Sequence, residues 1–198
     1  MAKIDQLLDS LQRLQAQIET EVQALLEQKR EQFHYTLRKG RVSFAREVRK
    51  LHRAQRVNVF VYLYRARLAH IVTAPVIYSV IVPIVLMDVA VSIYQSICFR
   101  VYGIDRVRRS DYIVIDRHKL SYLNAIEKLN CVYCGYGNGV IEYAREITAR
   151  TEQYWCPIKH ARLPGSMHER ANHFVDYGDA TSYHRELERL REQIRSGG

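Results

Sequence analysis

Residues 71–99 read IVTAPVIYSVIVPIVLMDVAVSIYQSICF, and Asp88 is the single charge in those 29 residues. A stretch this apolar has to be covered by protein or by lipid. One spanning helix needs about 20 apolar residues and two need about 40, so the run is long enough for one span and too short for a full hairpin. It begins too far along the chain for a cleaved signal peptide, which occupies the first 15–30 residues or so. The other reading, a buried core helix of a soluble protein, is the weaker one for a run this long. Charged residues make up 26% of the 198, which excludes a polytopic membrane protein, and apolar residues make up 47%, which excludes a wholly disordered chain.

Charge is distributed unevenly around the run. Residues 1–28 carry a net charge of −3, residues 29–67 carry +10, and the whole chain carries +9. Ten Lys or Arg lie between Arg38 and Arg67, among Phe44, Val48, Leu51, Val57, Phe60, Val61 and Leu63. Basic residues with an apolar stripe, just ahead of a hydrophobic run, suit a bilayer with anionic headgroups. The same charge would neutralise phosphates, but the neighbouring run already explains it, and no nucleic-acid partner is expected. This stretch is expected to be helical, with a break at Gly40.

The positive bias favours a cytoplasmic N-terminus. Arg100, Arg106, Arg108, Arg109, Arg117 and Lys119 follow the run, so a single span would carry a positive flank to the far side. A re-entrant helix broken at Pro75 or Pro83 keeps both flanks cytoplasmic, and a kink in one span is the alternative. The expected location is a bacterial inner membrane with the soluble parts cytoplasmic. A carboxylate at the centre of a helix in lipid costs about 2.5–3.5 kcal/mol. Asp88 is therefore either a proton, ion or partner contact, or it lies near the headgroups in a shallow segment; the second reading is preferred.

The first segment reads as a helix. Ile4, Leu11, Ile18 and Leu25 recur every seven residues, with Leu7, Leu8, Leu14 and Val22 beside them, and no Gly or Pro interrupts. That is about three and a half heptads, near the minimum for a coiled coil. Self-association or docking to a partner helix stands level with packing against the same chain.

Residues 131–139 read CVYCGYGNG and residues 154–160 read YWCPIKH. Cys131 and Cys134 form a C-x2-C pair, Cys156 follows, and His160 lies four residues beyond. Three thiolates and an imidazole are a common structural Zn set, so these four are the expected metal ligands. Fe is the alternative cofactor, and no metal at all is the third reading, with the thiols a redox pair or simply buried. Gly135, Gly137 and Gly139 are expected to form a tight turn under the thiolates. Cys98, at the edge of the apolar run, is not expected to be a ligand.

CVYCGY resembles the first knuckle of rubredoxins, and WCP resembles the start of their second. The second C-x2-C is missing, since Lys159 stands two residues past Pro157 and only His160 is near. The likeness spans about 30 residues. It implies an Fe electron-transfer centre, without the rubredoxin fold, because the gap around VIEYAREITART reads as helix. The stretch from Asp111 to His160 is also similar to a bacterial family of membrane-anchored proteins, a likeness that implies no activity.

Elsewhere Asp116, His118 and Glu127 lie close in sequence, and a monotopic enzyme acting on a lipid-linked substrate would use them at the membrane surface. Glu142 and Glu146 share a helix face, but no E-x-x-H accompanies them, so a carboxylate metal site is incomplete. No G-x-x-x-x-G-K, G-x-S-x-G or H-E-x-x-H occurs. Residues 181–195 read as a short charged helix facing solvent or a partner, capped by Thr181 or Ser182.

The expected fold is mostly α: a helical arm with a basic interfacial helix over 1–67, one membrane-embedded helix, spanning or re-entrant, over 68–102, a small α-rich Cys3His knuckle domain over 103–163, and a tail over 164–198. The expected function is a membrane-anchored, non-enzymatic adaptor or assembly subunit with structural Zn. It would have a protein partner or form a homo-oligomer through the first helix. The alternatives are the Fe electron-transfer protein and the monotopic enzyme.

Overall fold

In the computed structural model, which describes residues 2–38, 41–162 and 164–197, the chain is mostly helical. It forms two compact units, one of residues 1–64 with 116–128 and one of residues 65–115 with 129–198.

The first unit opens with α1 (Ala2–Gln32), the expected helix. Leu7, Leu11, Leu14, Ile18, Val22 and Leu25 are all at least 46% exposed, so this stripe is not packed against its own chain. The side chains of Ile4 and Leu8 lie outside the described residues. The steps along the stripe are four, three, four, four and three residues, the spacing of one face of a straight helix.

The helix expected next is instead a hairpin. β1 (Tyr35–Arg38) pairs antiparallel with β2 (Arg41–Phe44), with Tyr35 opposite Phe44 and Arg38 opposite Arg41. Tyr, Thr, Val and Phe favour a pleated surface and lose side-chain freedom in a helix. Across the pair the Tyr35 and Phe44 rings are 5.7 Å apart, and the Thr36 and Ser43 hydroxyls bond at 2.7 Å. Gly40, the expected break, lies outside the described residues. Two helices follow, α2 (Arg46–Ala54) and α3 (Val59–Arg65), with Arg49, Lys50, Arg53 and Arg56 exposed. Rings run from Phe44 to His52 and on to Tyr122, each step 5.3 Å.

The second unit is built on the apolar run. α4 (Leu68–Ser79), α5 (Ile81–Tyr94), a π-helical turn (Gln95–Phe99) and α6 (Arg100–Tyr102) join into one helix of 35 residues, long and apolar enough to cross a membrane. Neither proline reverses the chain. Pro83 sits in the first turn of α5, where a missing amide costs little. After Tyr102 the chain turns at Gly103, whose φ of 72° is left-handed. It passes through the short α7 (Arg109–Tyr112).

It then enters α8 (Ala125–Trp155), 31 residues long. Asn124 starts α8 with a capping box: its side-chain oxygen accepts from the amides of Ile126 and Glu127, and Glu127 accepts from the Asn124 amide at 2.8 Å.

α8 runs beside the apolar helix and in the same direction. Tyr78 bonds Asn130, Asp88 bonds Tyr136, and Tyr94 bonds Thr151, so partners stay 48 to 57 residues apart from Tyr78 to Tyr94. Gly139 admits the returning segment against α8, while the apolar helix meets Gly137 at ordinary contact distance. A Cβ on Gly139 would stand 2.8 Å from the backbone of both Tyr112 and Ile113, and one on Gly137 would stand 3.4 Å from Ile84.

The core gathers Phe99, Ile104, Val107, Tyr143, Ile147, Tyr154 and Ile194. The last of these belongs to α9 (Tyr183–Arg195), which buries Leu187, Leu190 and Ile194. Expected to face solvent or a partner helix, α9 is instead a core helix with a charged outer side. Its lead-in is held by Asp179, whose carboxylate accepts from the Thr181 hydroxyl and from the Ser182 amide and hydroxyl. Those bonds push Asp179 down to about 2.

Candidate functional site

The expected metal ligands do not come together. Cys131 and Cys134 lie one turn apart inside the continuous helix α8, not on a turn, and the glycines after them are helical packing positions. Cys156 follows the last residue of α8, about 33 Å from Cys134 at 1.5 Å per residue. His160 lines a small cavity of about 110 Å³ with Glu152 and His168, whose own side chains bond each other at 2.7 Å. All four cysteines are free.

Partial burial and then the Glu152 carboxylate push the Cys156 thiol up. Among the described residues no group of three His, Cys, Asp or Glu side chains could hold a metal. The Cys knuckle is therefore overturned. C-x2-C spacing also equals one helical turn, which is the geometry it adopts here.

The enzyme-like trio is not assembled either. Glu127 is occupied by the Asn124 capping box. His118 sits in a single 3-10 turn (Arg117–Lys119) directly after Asp116. Glu146 accepts from Arg150 at 2.8 Å and from Arg170 at 2.9 Å, an ion-pair cluster that ties α8 to the segment before α9.

The chemistry concentrates instead on the inner face of the apolar helix. Asp88 is 7% exposed. Arg109 grips its carboxylate with two nitrogens, Nε to Oδ1 at 3.1 Å and an Nη to Oδ2 at 2.7 Å, and the Tyr136 hydroxyl donates to Oδ2 at 2.8 Å. A bidentate guanidinium with a third donor is the arrangement that makes a buried carboxylate tolerable. The partners of Asp88 thus come from the same chain.

Burial and the bond to Asp88 push the Tyr136 phenol up, so it remains a donor at neutral pH. Two turns along, Gln95 is 2% exposed. It donates to the Tyr143 hydroxyl and accepts from the Val107 amide at 2.9 Å. It sits at the start of the π-helical turn, and such turns widen a helix to re-aim side chains.

This network is a three-way clamp. Asp88 and Gln95 come from the apolar helix, Arg109 and the Val107 backbone from the returning segment, and Tyr136 and Tyr143 from α8. Reading by sequence missed Gln95, Arg109, Tyr136 and Tyr143 as a group. The signal was present in part, because a carboxylate inside an apolar helix needs a cation, and Arg109 was among those that follow the run. No family model, curated protein or solved structure matches the chain, so the likenesses to rubredoxins and to a bacterial membrane-anchored family have no support.

Proposed function

We propose that this chain is a membrane-embedded, non-enzymatic adaptor or assembly protein, held on the bilayer by the outer face of residues 68–102. One observation carries the reading: within the apolar run the carboxylate and the amide point in, while a broad apolar face points out. Asp88 and Gln95 are buried, while Leu68, Val72, Leu86, Ile97 and Val101 are each at least 61% exposed. A helix of a water-soluble protein has the opposite sense. Lipid accepts the outer face at no cost, and the polar clamp keeps the inner face satisfied without water.

The helix lies along the membrane surface rather than across it. At 1.5 Å per residue its 35 residues extend about 52 Å, against a hydrocarbon core of about 30 Å. The outer side of α8 also carries exposed Asn138, Glu142, Arg145 and Thr148. The parallel register sets these beside residues near 88–98, so a perpendicular span would force them into lipid. With the apolar face down and α8 up, they stay in water, and both flanks stay on one side. The adaptor role rests on α1, whose exposed stripe calls for a partner helix; a second copy of α1 meets that need.

Flotation with liposomes tests the membrane reading. Wild type is expected to float, and Leu86→Glu with Ile93→Glu is expected to stay at the bottom with its helical signal unchanged, since both side chains face outward. A chain that purifies without detergent as a monodisperse soluble protein and ignores liposomes would end the reading.

A further inference from the structure

The segment that follows the apolar helix lines a cavity of about 560 Å³ with four arginines around it, Arg106, Arg108, Arg150 and Arg170. Two are partly committed. Arg150 and Arg170 share the single carboxylate of Glu146, and Arg150 also donates to the Asp105 carbonyl. The other two have no carboxylate among the described residues. Arg106 donates only to the Ser96 hydroxyl at 3.0 Å, which fixes it against the last turns of the apolar helix. Arg108 is exposed, and its guanidinium has no hydrogen-bond or ion-pair partner among the described residues. Asp105 and Asp111 also line the cavity. With Glu146 they leave the positive charge in excess.

A guanidinium fork matches the paired oxygens of a phosphate, and several forks around one concavity are a phosphate-binding arrangement. We infer that this cavity binds a phosphate group through Arg106 and Arg108, with Arg150 and Arg170 held behind them by Glu146. Two sources present that group. One is the headgroup of an anionic lipid, which the proposed membrane placement would bring to the cavity mouth. The other is a soluble phosphate. Only the first depends on the membrane reading.

The test uses the full chain in a phosphate-free maltoside detergent. Inorganic phosphate is titrated and followed by calorimetry. Separately, flotation is compared between phosphatidylcholine vesicles and vesicles that also contain phosphatidylglycerol. Each measurement is repeated on Arg106→Ala with Arg108→Ala. Arg108→Lys serves as the second variant, because it keeps the charge, loses the fork and disturbs no contact.

Phosphate binding that weakens tenfold or more in the double variant assigns the site to a soluble phosphate, as expected for losing charge-assisted bonds. No phosphate binding, with the phosphatidylglycerol preference lost in the double variant, assigns it to a headgroup. A phosphate affinity or phosphatidylglycerol preference that both variants leave unchanged would overturn the inference, as would the absence of both. A chain that binds phosphate but floats with neither vesicle would retire the membrane reading and leave the site standing.

Discussion

Asp88 shows how one residue sets the architecture around it. Alone, a carboxylate on an apolar helix is costly; paired, it fixes which segment must return to meet it. Arg109 supplies that segment and Tyr136 the third wall. Removing one partner of such a pair leaves an uncompensated charge, typically about 3–5 kcal/mol, and the half-exposure of Arg109 puts this case at the low end. Arg109→Ala is therefore expected to cost about 3 kcal/mol in a melt in detergent, and Asp88→Leu with Arg109→Leu is expected to recover most of it. Equal losses in the single and double variants would mean the pair is not coupled.

Glu146 gives a second residue-scale expectation. Burial alone would raise its pKa, but the bonds from Arg150 and Arg170 win and hold it below the usual carboxylate range. A lowered folded pKa adds stability above the unfolded value of about 4.3, and that contribution is lost as pH falls through the folded value. Glu146→Gln should melt lower than wild type at pH 7, by about 1–2 kcal/mol, and the gap should close below about pH 4. A gap constant down to pH 3 would mean Glu146 does not titrate with folding.

At the scale of elements, α8 is the one that matters, and its Gly139 lets the returning segment lie directly against it. Gly139→Ala puts a methyl 2.8 Å from two backbone atoms of the returning segment, which have no rotamer to turn away. Overpacking of this kind typically costs about 1–3 kcal/mol. Gly137→Ala, at 3.4 Å from the end of a flexible Ile84, should cost less, and the ordering of the two melts checks the register.

Sequence legibility divides along the same line. The apolar run, α1, the helix around VIEYAREITART and the terminal helix are periodic or propensity-rich, and local pattern suffices for them. The hairpin was masked by its basic residues, which drew attention away from Tyr35, Thr36, Val42 and Phe44. The knuckle was misread because a C-x2-C followed by glycines fits both a metal turn and a helix with one small-residue face. Only the partner packed on that face decides between them, and it lies about 50 residues away in the chain. The clamp at Asp88 was out of reach for the same reason: its members are adjacent only once the parallel pair exists.

At the scale of the whole molecule, the proposed membrane placement turns on which way the apolar face points, and the free cysteines test it. Cys134 is exposed on α8 and, by the parallel register, sits beside the middle of the apolar helix, while Cys156 is exposed past the end of α8. If residues 68–102 lie along the surface, both thiols face water on one side. If the helix crosses the bilayer, Cys134 is carried to membrane depth and Cys156 to an interface. Single-cysteine versions keeping only Cys134 or only Cys156, bound to preformed vesicles, separate the cases. A charged, membrane-impermeant maleimide added outside should label both, at rates within about threefold of those in detergent, because neither position changes its exposure. Slow labelling of Cys134 alone would instead mean that α8 accompanies the apolar helix into lipid. The polar side chains Asn138, Glu142 and Arg145 would then need protein partners of their own, and the adaptor would be one subunit of a larger membrane bundle.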